Sequence, residues 1–142
     1  MSRFFAREAA FLVVFEHDFN PEKSARELMD LCYANEELED FSREKEYFED
    51  VVQGVFDRQS ELDEIIETHS LQWKKSRLSR TAVAMLRVAL YEILYRPDID
   101  VKVSVNEAVE ILKKYDMDEA AKYANGVLGG FLRTQQPAVE EE

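Results

Sequence analysis

Two arginines four residues apart, Arg3 and Arg7, and a basic run, Lys74, Lys75, Arg77 and Arg80, are the residues best suited to gripping a ligand, and the ligand chemistry is phosphate. Arginines at this spacing share one face of a helix, so both guanidiniums can reach the same anionic backbone. Lys122-Tyr123 sets a cation beside an aromatic ring, a pairing that can hold single-stranded RNA by charge and by base stacking. The mid-chain basic run also reads simply as a solvated loop. Catalytic sets are harder to assemble. His17 and Asp18 are adjacent, but no Ser or Cys nearby completes a triad, and the acidic stretches Asn35–Asp40 and Glu61–Glu64 read as solvated faces. Asn125-Gly126-Val127-Leu128-Gly129-Gly130 is glycine-rich but follows a helical pattern, so the strand–loop–helix setting of a nucleotide site is missing. The single Cys32 rules out an intramolecular disulfide and reads as a small apolar residue on a helix face. With two separated histidines, His17 and His69, no dedicated zinc site is expected, nor any other cofactor.

A second group of residues reads as structural. Arg87 and Glu92 interrupt the most apolar stretch of the chain, and charges there want partners, a carboxylate such as Glu107 or Glu110 being the simplest for the arginine. Asn106 and Glu107 lie where a helix is expected to start, so capping accounts for them. Gly126 inside a helix costs about 1 kcal/mol against alanine, which is tolerated where another backbone must come close, and Asn125 beside it can hydrogen-bond a neighbouring loop.

The elements that must position these residues are helices. Only four Gly and three Pro break a chain that is 46% apolar, which favours long helices over a many-turned β-structure. Seven segments carry helical periodicity. The first spans about Arg3 to His17, with Ser2 as its candidate N-cap. In the second, Asn20 fits the N-cap and Pro21 the first helical position, and the helix runs to about Ala34. The third runs from near Ser42 to Arg58 with Phe48, Val51, Val52, Val55 and Phe56 as its apolar stripe, and the fourth covers about Glu61 to His69. Trp73 lies in the basic connection that follows. The fifth, Ser79 to Arg96, is apolar nearly all round and is expected at the centre, stopped by Pro97. The sixth opens with Ser104 and Glu107, spaced as a capping box, and ends near Tyr115. Asp118 caps the seventh, which reaches about Arg133. Ile99 to Val105 is the one piece that reads equally as a short strand or an extended linker. The expected organisation is one all-α domain over residues 1–134, with an N-terminal group of helices to about 58, a C-terminal group over 59–134, and a disordered acidic tail, 135–142.

Charge is distributed unevenly. Residues 1–72 carry 7 Lys/Arg against 19 Asp/Glu, residues 73–136 carry 11 against 8, and the chain ends in three glutamates, for a net −12. Bulk attraction to nucleic acid is thereby excluded, and any RNA site must be a local basic face. No apolar run approaches the ~20 residues that span a bilayer. The opening segment imitates a signal peptide only faintly, because Arg7 and Glu8 interrupt it and Glu16, His17 and Asp18 follow where small residues are needed. A cytoplasmic protein with no membrane association is expected.

Three motifs occur in order on consecutive predicted helices: Leu86-Arg87-Val88-Ala89-Leu90-Tyr91-Glu92-Ile93, then Asn106-Glu107-Ala108-Val109-Glu110, then Asn125-Gly126-Val127-Leu128. With Arg7-Glu8-Ala9-Ala10, Phe15, Trp73, Arg77-Leu78-Ser79 and Lys113-Lys114-Tyr115, the chain resembles the NusB family of transcription antitermination factors from about Arg3 to Arg133. The resemblance implies an all-α fold of two three-helix bundles, no catalysis and no cofactor. It implies binding of boxA-type RNA jointly with the ribosomal protein NusE, indirect action on the RNA polymerase elongation complex, and read-through, notably of ribosomal RNA operons. Carried over, the RNA face comprises Arg3, Arg7, Lys122 and Tyr123, and the partner side comprises Phe15, in place of a usual tyrosine, and Arg80. Family members occur as monomers and as dimers, so a homodimer is open. Three departures stand out: the first helix keeps only two arginines, Leu12 replaces a common glutamine, and Ala82 and Val83 replace a frequent acidic–basic pair. Each lost phosphate contact removes roughly one unit of salt slope, so weak RNA binding without the partner is expected. The alternative is an acidic helical protein-binding module with little RNA affinity of its own.

Overall fold

The computed structural model describes residues 2–70 and 79–135, so Trp73, Lys74, Lys75, Arg77 and residues 136–142 of the acidic tail lie outside the described residues. Among the described residues the fold is helical throughout: α1 (Ser2–Phe19), α2 (Ala25–Tyr33), a 3₁₀ turn (Ser42–Glu44), α3 (Lys45–Asp57), α4 (Gln59–His69), α5 (Arg80–Tyr95), α6 (Val101–Tyr115) and α7 (Asp118–Thr134). None of these helices is long and apolar enough to cross a membrane.

The expectation for α5 holds. It packs on α1, α3, α4, α6 and α7, and ten of its residues are buried, Arg87 and Glu92 among them. Ser79 starts it, its hydroxyl accepting from the Ala82 N–H at 3.0 Å and donating to Asp116 at 2.8 Å, which pins the start of α5 to the turn between α6 and α7. The α1–α3 group and the α4–α7 group share one apolar core because α5 and α1 lie face to face, with Ala6, Ala9 and Ala10 of α1 fully buried. Their small side chains let the two helices approach closely.

Three local readings are corrected. Helix α2 begins at Ala25, because Ser24 and Glu27 form a complete capping box, Glu27 N–H donating to Ser24 Oγ at 3.1 Å and Ser24 N–H to the Glu27 carboxylate at 2.8 Å. Two backbone donors are satisfied there at once. Asn20 instead closes α1, its N–H donating to the Glu16 and His17 carbonyls. Helix α6 begins at Val101, capped by Asp100, whose side chain accepts from the Lys102 N–H at 2.8 Å. The Ile99–Val105 stretch is therefore neither strand nor linker, and Ser104 with Glu107 is no capping box. A close helix contact lies at Gly54, where a Cβ would sit 2.1 Å from Tyr91 Cε1. Gly126 is half-buried inside α7.

Candidate functional site

At the α1–α5 crossing a carboxylate collects donors from three other helices. Glu92 is 0% exposed. It accepts from Arg7 Nε at 2.7 Å and Arg7 Nη2 at 3.2 Å, from the Tyr47 hydroxyl, and from Ser104 Oγ at 2.7 Å. Glu107 lies 3.6 Å from Arg7 Nη1. This corrects the placement of Arg7 on the RNA face: its side chain is 2% exposed and both edges face carboxylates. Burial works against the Arg7 charge, but Tyr47, Glu92 and Glu107 outweigh it and hold its pKa above the ordinary value. Burial, then the Glu92 charge, pushes the Tyr47 hydroxyl well above its usual range, so it stays a donor.

Arg87 is likewise interior, but its partners are Asp63, bidentate at 2.7 and 2.9 Å, and Asp18 at 3.1 Å, not Glu107 or Glu110. It ties α5 to α4 and to the end of α1.

Tyr123 is the second correction. It is 2% exposed, with its hydroxyl against Ser70, and burial raises its pKa. Successive helical residues point about 100° apart, so an outward Lys122 turns Tyr123 into the core, where it cannot stack a base.

What remains at the surface forms a groove of about 480 Å³ between α6 and α7, lined by Asn106, Lys113, Lys122 and Asn125 together with Val109, Glu110, Asp118 and Ala121. Lys122 is exposed and makes no ion pair among the described residues. Asn106 and Asn125, read from sequence as structural, are exposed amides at the groove, each able to donate and accept. The groove's Asn106 end adjoins Glu107, and so the Arg7 end of α1. There Arg3 is partly exposed, its Nε donating to Glu44 at 2.8 Å and its guanidinium 4.4 Å from the Tyr47 ring centre. Beyond it, buried Glu8 accepts from Lys114 Nζ at 2.5 Å and the Tyr115 hydroxyl at 2.7 Å.

A second candidate surface lies at the C-terminal end of α1, where a ladder of rings rises from the buried Phe11 through the half-buried Phe15 to the exposed Phe19. Tyr115 meets Phe11 at 5.3 Å between ring centres, Phe11 meets Phe15 at 6.3 Å, and Phe15 meets Phe19 at 5.1 Å. The Arg80 guanidinium lies 5.5 Å from the Phe19 ring and 3.9 Å from Asp18. Phe15 and Arg80 are thus brought together through Phe19, which is 57% exposed. Sequence reasoning missed Phe19 by ending the helix at His17, although the four-residue spacing from Phe15 was visible. Cys32 is half-buried, and burial pushes its thiol up to about 11. Among the described residues no group of three or more His, Cys, Asp or Glu could hold a metal ion.

Such an arrangement defines an all-helical protein with a groove lined by two lysines, two carboxylates and two amides on one side and exposed aromatic rings at the end of α1 on another. The chain belongs to the NusB family, whose model matches residues 5–133. It is 44% identical over 137 residues to the transcription antitermination protein NusB of Carboxydothermus hydrogenoformans, covering 91% of each chain. To the same protein of Bacillus subtilis it is 38% identical over 128 residues, covering 90% of this chain and 92% of that one. Among solved structures it is similar to T. maritima NusB, with a TM-score of 0.81 at 27% identity over 98% of this chain and 96% of that one. It is similar also to the NusB chain crystallised with NusE and double-stranded RNA, with a TM-score of 0.81 at 26% identity over 94% and 97%.

Proposed function

We propose that the chain is an RNA-binding antitermination factor that works with NusE. Family membership and the likeness to a NusB solved with NusE and double-stranded RNA support the general reading. The observation that carries it is the α6–α7 groove, where the exposed Lys122 lies with the amides of Asn106 and Asn125 and with Lys113, which is 4.0 Å from Glu110, in a chain of net charge −12. Cations there would meet phosphates and the amides would meet base edges, with Arg3 extending the track onto α1. The RNA is single-stranded and of boxA type, NusE seats on the Phe15–Phe19–Arg80 surface, and the pair acts on the RNA polymerase elongation complex to carry it through terminators, notably in ribosomal RNA operons. Anisotropy of labelled boxA-type RNA, with and without NusE, tests this. Binding that NusE strengthens and Lys122→Ala weakens is expected, and no NusE-dependent binding at low salt would end the proposal.

A second reading is favoured by one observation: Arg7 and Tyr123 are interior, so two of the four side chains expected to touch RNA cannot reach it. On that reading the chain is mainly a protein-binding module, and the aromatic surface serves NusE or a second copy of the chain. NusE binding that survives with no measurable RNA binding would establish it.

A further inference from the structure

We infer that Glu44 is a built-in counter-ion of the RNA surface, a positioning residue that sets RNA affinity by occupying Arg3. The inference rests on the RNA-binding reading above. Arg3 is held twice: its Nε donates to Glu44 Oε1 at 2.8 Å, and its guanidinium lies over the Tyr47 ring. Tyr47 is itself buried and donates its hydroxyl to Glu92, so the ring under Arg3 is anchored on its far side. Both Arg3 and Glu44 are partly exposed, which leaves the pair open to water and to an incoming phosphate. Arg7, the other arginine of α1, is closed off on Glu92 and offers no alternative contact.

A phosphate approaching Arg3 therefore meets a guanidinium whose charge is already matched. It must either displace the carboxylate or sit within a few ångströms of it, and like charges that close repel. Glu44 thus lowers affinity for every RNA alike, and a docked partner has to supply the difference. Replacing Glu44 by Gln keeps an oxygen that can accept from Arg3 Nε and removes only the charge. RNA binding should then tighten about two- to five-fold, the factor corresponding to an exposed ion pair of up to ~1 kcal/mol.

The test is anisotropy of a labelled single-stranded RNA of boxA type at low salt with NusE present, using wild type, E44Q, R3A, the double variant R3A/E44Q, and E64Q. The last removes one charge from an exposed position on α4. We expect E44Q to bind more tightly, E64Q to match wild type, and R3A/E44Q to match R3A, with thermal melting confirming the fold of each. An E44Q chain that binds like wild type, a gain that persists without Arg3, or an equal gain in E64Q would overturn the inference. Wild type that binds RNA while E44Q shows no gain refutes Glu44's role alone, whereas absence of RNA binding by both chains refutes the RNA reading and this inference with it.

Discussion

Replacing Arg7 by Met should destabilise the protein severely while leaving the proposed RNA contacts intact. Methionine keeps most of the volume of the arginine stem but strips Glu92 of its bidentate partner, leaving a carboxylate that is 0% exposed with only the Tyr47 and Ser104 hydroxyls. Removing one member of a buried ion pair costs about 3–5 kcal/mol. Unfolding entropy of about 2.1 cal/mol/K per residue gives about 0.3 kcal/mol/K for this chain length, so Tm should fall by about 10–17 °C. The double variant R7M/E92Q should recover more than half of that loss, because glutamine is neutral and still offers an oxygen to both hydroxyls. Calorimetry of wild type, R7M and R7M/E92Q measures both steps. A drop below about 3 °C for R7M, equivalent to ~1 kcal/mol, or a double variant less stable than R7M, would refute the account of the pair. A second readout separates structure from contact: far below Tm, R7M should show the wild-type salt slope for RNA binding. Loss of about 0.7 units of slope, the value for one phosphate on a single strand, would mean that Arg7 touches RNA after all.

Three further outcomes follow from other parts of the molecule. Gly54→Ala puts a methyl 2.1 Å from Tyr91 Cε1 and should cost at least the ~1–3 kcal/mol of an overpacked core, seen as a Tm loss in thermal melts. The Tyr91 hydroxyl, buried and donating to Asp50, is pushed up to about 12. The folded state then keeps a proton that the unfolded state releases above its ordinary value near 10, so this contribution is whole below pH ~10 and is lost as pH rises toward 12. Tm measured from pH 9 to 11.5 should fall less steeply in Tyr91→Phe than in wild type. Phe19→Ala, at a 57% exposed position, should leave Tm within ~2 °C but weaken NusE binding at least five-fold if that ring is an anchor, as titration calorimetry would show.

The helices were legible in the sequence wherever one periodic stripe governed a segment, and α5 most of all, since apolar residues on every side leave a helix no place but the centre. Helix starts were less legible because two local signals competed. Asn20-Pro21 and Ser24-x-x-Glu27 lie within one turn of each other, and the box prevails by satisfying two donors instead of one. Ser104 looked like a cap until Glu92, twelve residues earlier, claimed its hydroxyl. The site was less legible still. Arg3 and Arg7 are equivalent in a sequence, one turn apart on the same helix, and what separates them is Glu92, 85 residues further on. Lys122 and Tyr123 are neighbours in the sequence, yet adjacent helical residues diverge. Asn106 and Asn125 carry no sequence signal beyond capping and loop contacts, and the structure exposes them at the groove.

The buried polar cluster and the exposed groove adjoin on the same helices. Glu92 on α5 holds Arg7 of α1, Tyr47 of α3 and Ser104 of α6 at once, and Glu107 of α6 closes on Arg7. Apolar burial is non-directional and by itself sets no unique hydrogen-bonded register between these helices. Hydrogen bonds to a single carboxylate are directional and fix both spacing and rotation. The residues next to this cluster in the chain are those of the proposed RNA track: Arg3 lies one turn before Arg7 and rests on Tyr47, and Asn106 precedes Glu107 at the mouth of the groove. A chain of net charge −12 has no diffuse field to hold a transcript in place. On the proposed RNA-binding reading, its few usable donors must be aligned before the RNA arrives, and the polar cluster beside them would supply that alignment.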